Sequence, residues 1–97
     1  MEDKIHIYFM PGLAASSKIF EYIRVADDKF VLHHLEWLEP DNEKETLAHY
    51  AEKYVKMITH KRPVLIGVSF GGILVQEIGR LMEVHKLIII SSLKNEI

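Results

Sequence analysis

The feature that most constrains this chain is Val64-Leu65-Ile66-Gly67-Val68-Ser69-Phe70-Gly71-Gly72, an apolar run that ends at a serine walled in by glycines. The apolar part reads as a buried strand, and Ile73 to Met82 then carries apolar residues at helical spacing. The serine therefore sits on a tight turn from strand to helix. Such a turn holds its central residue in a strained backbone conformation and brings strand and helix so close that flanking side chains would collide. Gly67, Gly71 and Gly72 meet that steric demand. A helix starting at Gly71 also points free amide hydrogens and the positive end of its dipole at the serine, donors suited to a developing oxyanion.

The rest of the chain fits around this turn. Ile5 to Met10 is β-branched and aromatic and stops at Pro11-Gly12, which predicts a first strand. Ser16 or Ser17 caps a short helix with Ile19, Phe20 and Ile23 on one side, and Asp27-Asp28 is a turn. Phe30 to Trp37 reads as a second strand. After Pro40, Asn42 and Glu45 are spaced as a capping box for a helix whose apolar stripe is Leu47, Ala51, Tyr54, Val55 and Ile58. His60-Lys61-Arg62-Pro63 ends that helix. A last apolar run spans His85 to Ser91.

The alternation β-α-β-α-β-α-β with continuous apolar strands predicts one α/β domain over residues 1–97, a three-layer sandwich with helices on both faces of a four-stranded parallel sheet. Right-handed crossovers favour the strand order 2-1-3-4. In such a sheet the ligand crevice opens between the carboxyl ends of the first and third strands, here Pro11-Gly12-Leu13 and Ser69. Motif and topology converge on one place.

Composition excludes several classes. A net charge of -2 from 12 basic and 14 acidic residues leaves no basic footprint for nucleic acid and no polybasic face for a membrane. With no cysteine there is neither a disulfide framework nor a thiolate metal site. The charged start Met1-Glu2-Asp3-Lys4 is unlike a secretory signal, and no apolar run reaches the ~20 residues of a membrane span, so a cytoplasmic location is expected. Leu87-Ile88-Ile89-Ile90, placed at the sheet edge, is expected to pair with another chain.

Met10-Pro11-Gly12-Leu13-Ala14-Ala15-Ser16-Ser17 after one strand and Gly67-Val68-Ser69-Phe70-Gly71-Gly72 after another resemble the N-terminal half of an α/β-hydrolase. The resemblance covers nearly the whole chain. It implies a serine hydrolase, esterase-like in reaction and acting on a small ester-type substrate, with Ser69 as nucleophile and the backbone amides of Phe70 and Leu13 as the oxyanion hole. It implies no metal and no cofactor. Many members have His-Gly where this chain has Pro11-Gly12. The resemblance also places the triad acid and histidine on later loops, so the 97 residues alone are expected to be inactive or nearly so.

None of the six histidines is placed to substitute. His33 and His34 are mid-strand, roughly 10 Å to the side of Ser69 by strand spacing, His6 and His85 lie early in their strands, and His49 and His60 belong to a helix and its end. No His-x-x-x-His pair or acid-rich cluster suggests a metal, and Met57 and Met82 read as core filler. Gly12 and Trp37, at the crevice rim, are candidate substrate contacts. A different reading of the same crevice is a non-catalytic module that binds an anion or a partner on the amides at the helix start.

Overall fold

Ile7, Tyr8, Phe9 and Met10 are buried on both sides of their strand, the pattern of a strand in the middle of a covered parallel sheet. In the computed structural model, which describes residues 4–13 and 28–90, this strand is β1 (Ile5–Met10). It is flanked by β2 (Phe30–His34) and β3 (Val64–Val68), and β3 by β4 (Lys86–Ile90). All pairs are parallel and the order is β2-β1-β3-β4, as the crossover argument requires. The helix expected between the first two strands lies outside the described residues.

The second strand is shorter than its composition predicts. Its pairing with β1 ends at Phe9 opposite His34, with one further bond from the Leu35 amide to the Phe9 carbonyl. Pro11 follows Met10 and has no amide hydrogen, so the ladder cannot continue. Beyond it, Glu36 to Leu38 is held by two tyrosines. The Tyr54 hydroxyl donates to the Glu36 carbonyl (2.7 Å), the Tyr50 hydroxyl donates to the Leu38 carbonyl (2.6 Å), and the Leu38 amide is shared by both phenolic oxygens.

Those tyrosines belong to α1 (Leu47–Met57). The helix starts later than the capping-box spacing suggests, because Thr46 is the cap and its hydroxyl accepts from the His49 amide (3.1 Å). Asn42 and Glu45 are used one step earlier, in a local turn. The Asn42 side chain accepts from the Lys44 amide, and the Glu45 carboxylate reaches back to the Asp41 amide. Short polar side chains compete in this way with helix initiation.

The second helix, α2 (Phe70–Leu81), begins directly after Ser69, a turn ahead of the apolar periodicity. Ala51, Tyr54 and Ile58 of the α1 segment and Leu74, Val75 and Ile78 of α2 share one core with Tyr8, Met10 and Leu65, so both described helices cover the same face of the sheet. Burying each of the larger side chains contributes about 1.5–3 kcal/mol. On the opposite face Ile7, Phe9 and Val64 pack with Phe30, Leu32, Ile66 and Val68. At the edge, Leu87 to Ile90 are 36–47% exposed. Among the described residues no helix is long and apolar enough to cross a membrane.

Candidate functional site

Ser69 ends the β3 ladder, its amide donating to the Ile90 carbonyl at 2.8 Å, and at once turns the chain into α2. Its backbone sits at φ 56°, ψ -123°, one of two non-glycine residues with positive φ among those described. Conformations of this kind cost of order 1–3 kcal/mol and persist only where the surroundings enforce them.

Enforcement comes from backbone against backbone. A methyl group on Gly67 would lie 2.6 Å from the Gly72 Cα and closer still to the Gly71 carbonyl oxygen. One on Gly71 would lie 2.5 Å from the Pro11 carbonyl oxygen and strike that of Met10. One on Gly72 would meet Ile89 at 2.7 Å. The first turn of α2 is thus pressed simultaneously onto β3, the end of β1 and β4. Gly12 is different, since a methyl there would sit at ordinary contact distance, 3.6 Å from Ser69 Cβ and 3.7 Å from the Val68 carbonyl. That spacing still places the loop after β1 directly beside the serine.

The loop is fixed from above. The Trp37 indole donates to the Pro11 carbonyl (2.9 Å) and the Gly12 carbonyl (3.2 Å), and its ring stacks on Phe70 at 5.7 Å and Tyr50 at 6.1 Å between centroids. The tyrosine clamp on Glu36 to Leu38 therefore acts through Trp37 on the backbone next to Ser69. Its depth is reflected in Tyr54, whose phenol is pushed above its usual pKa by burial and by the neighbouring Tyr50 hydroxyl.

Leu13, Trp37 and Phe70, predicted separately as rim or oxyanion-loop residues, line one cleft of about 350 Å³ with Leu38, Leu47 and Tyr50. Leu13 and Phe70 are well exposed there, at 60% and 42%. As the first residues of a helix, Phe70 and Gly71 have amides without an intrahelical acceptor. The cleft thus has an apolar wall, and the turn that carries Ser69 and the start of α2 adjoin it through Phe70.

The histidines are engaged elsewhere. His49 bonds Glu45 (2.7 Å), and the His85 amide bonds the Pro63 carbonyl (2.8 Å). His34 lies over Phe9. His6, His33 and His60, far apart in sequence, are brought together, and their ligand atoms lie within 4.8 Å of one another. No His-x-x-x-His spacing is involved, and the reading of metal sites from local sequence patterns alone missed this group. Sequence spacing could not reveal it, because the three come from β1, β2 and the connection into β3. Only the register Tyr8 opposite His33, which puts His6 one pleat away on the same face, hints at it. Burial first, and then the neighbouring rings, lower the pKa of both His6 and His33, with Lys4 adding to the effect at His6, so both are mainly neutral at pH 7.

The structure thus defines a parallel α/β sheet with a glycine-bounded serine turn at the crevice where its winding reverses. Residues 13–95 match the Uncharacterised protein family (UPF0227), and the chain belongs to that family. No curated protein and no solved structure matches it.

The glycine geometry gives a graded expectation. Gly71→Ala drives a methyl into two backbone carbonyls and should destabilise the fold by about 3 kcal/mol or more, the upper end of overpacking costs. Gly12→Ala, with no positive φ and a methyl only at ordinary contact distance, should change stability by less than about 1 kcal/mol. Urea unfolding of the two variants checks the order, and equal costs would contradict it.

Proposed function

We propose that this chain carries the nucleophile and oxyanion hole of an α/β-hydrolase-type serine hydrolase, acting on small esters with an apolar acyl group. The observation that carries the reading is the backbone of Ser69, held at φ 56° on the turn into α2. An anion cradle needs only the amides at the helix start, and a relaxed residue at position 69 would supply them equally well. Strain at the serine itself is accounted for by a hydroxyl that must stand clear of the sheet to reach a carbonyl carbon.

In this reading the Ser69 oxygen adds to the acyl carbon, and the negative charge that develops on the carbonyl oxygen is met by the amides of Phe70 and Leu13. Preorganised donors of this kind each contribute about 2.7–4 kcal/mol to lowering the barrier. The acyl chain lies in the cleft against Trp37, Tyr50 and Phe70, whose size and apolar lining suit a small ligand. The proton on Ser69 has to leave to a base; His6, His33, His60 and His49 are bonded elsewhere, His34 lies over Phe9, and His85 precedes β4 at the end of the sheet away from Ser69. The resemblance puts that base and its acid after the serine in chain order, on loops after later strands.

Fluorophosphonate labelling tests this. Ser69 in the 97-residue chain should label slowly, and a chain extended by its downstream coding sequence should label at least about a thousandfold faster. Ser69→Ala should abolish labelling in both. Rapid labelling of the short chain would mean that a base lies within it, and labelling that survives Ser69→Ala would refute the assignment.

We further propose that the outer edge of β4 pairs with a second copy of the chain, because its side chains from Leu87 to Ile90 are apolar and exposed and, among the described residues, no strand lies beyond it. Sedimentation velocity at high concentration should show a dimer or larger species. A clean monomer would contradict the pairing.

A further inference from the structure

We propose that His6, His33 and His60 form a binding site for a single divalent transition-metal ion of the zinc type. The site is separate from the serine crevice. Strand register places Ser69 level with Gly12, so His6 and the Tyr8–His33 pair lie four to six residues back along the sheet, about 13–20 Å at strand rise.

The three rings form a tight group. His6 Nδ1 and His33 Nε2 approach to 2.9 Å, and His6 and His60 stack with centroids 3.4 Å apart. All three are half-buried, which leaves an entry path while limiting competition from water. Three imidazole nitrogens suit Zn2+, Co2+, Ni2+ and Cu2+ and are poor ligands for Mg2+ or Ca2+, which take oxygen. Three protein ligands and one open position also form a common zinc coordination set.

Binding asks for small changes. Two nitrogens sharing a tetrahedral zinc stand about 3.3 Å apart, given metal–nitrogen bonds of about 2.0–2.1 Å. His6 and His33 therefore need to separate by only a few tenths of an ångström. The proton now shared between them moves to a non-ligating ring nitrogen, so both rings stay neutral and present lone pairs. His60, which lies between α1 and β3 outside helix and strand, must tilt off its stack on His6. The Tyr8 hydroxyl holds His60 Nδ1 at 2.7 Å, the kind of outer hydrogen bond that orients a metal-binding imidazole.

A second group, Asp41, Glu45 and His49, has comparable spacing but is already served by a cation. Lys53 Nζ lies 3.0 Å from Asp41 and 3.3 Å from Glu45. It therefore provides the internal control.

The test is titration of the purified chain with Co2+, followed by visible d–d absorption, and with Zn2+, followed by thermal unfolding. One Co2+ per chain should bind with a tetrahedral-type spectrum that Zn2+ displaces, and Zn2+ should raise the unfolding midpoint by mass action. Loss of an outer-shell partner alone weakens metal sites about 10–100-fold, so His33→Ala and His60→Ala should each weaken binding at least about 100-fold, and Tyr8→Phe about tenfold. His49→Ala should leave the titration unchanged. No absorption and no shift of the midpoint in the wild-type chain would overturn the proposal whatever the variants do. So would a spectrum that survives His33→Ala or is lost in His49→Ala.

Discussion

Backbone meets backbone around Ser69, and the rest of the structure is arranged to make that contact possible. The first turn of α2 touches the carbonyls at the end of β1 through Gly71 and the strand it follows through Gly67. A side chain at either position would push the helix off the sheet. With the helix seated, the core of Leu74, Val75 and Ile78 closes over Tyr8 and Leu65, and α1 finds its partner. Local sterics at two glycines and the packing of one face of the sheet are thus a single constraint.

The same contact organises the proposed chemistry. Pressing α2 onto the loop after β1 brings that loop beside the serine, where the proposed oxyanion hole would draw on the Leu13 and Phe70 amides, and Trp37 holds the loop by its carbonyls while walling the cleft with its ring. Trp37 has two roles here. Its indole N–H acts on the backbone, and its face acts on whatever occupies the cleft. The tyrosines of α1 extend the arrangement outward by fixing the segment that carries Trp37.

Much of this was legible in the sequence because it rests on local rules. An apolar run ending in Gly-x-Ser-x-Gly and followed by helical periodicity reads as a strand-to-helix turn, and right-handed crossovers favour the strand order that is found. Boundaries were less legible wherever a distant partner decided them. The second strand stops at His34 because Pro11 ends the ladder on a neighbouring strand, and Asn42 yields the helix cap to Thr46 because Glu45 is drawn to Asp41, Lys53 and His49. Trp37 was visible as a rim residue, but not as a clamp, since its acceptors lie 25 and 26 residues away. The histidine cluster was invisible for the same reason, its members meeting only through sheet register.

The central claim is that Ser69 and the two flanking amides form one preorganised site. A crystal structure of the Ser69 phosphonate adduct tests it most directly. The account predicts the phosphoryl oxygen within about 2.7–3.1 Å of both the Leu13 and the Phe70 amide nitrogens, the distance range of an oxyanion hole. A phosphoryl oxygen turned to solvent, with neither amide in reach, would contradict it.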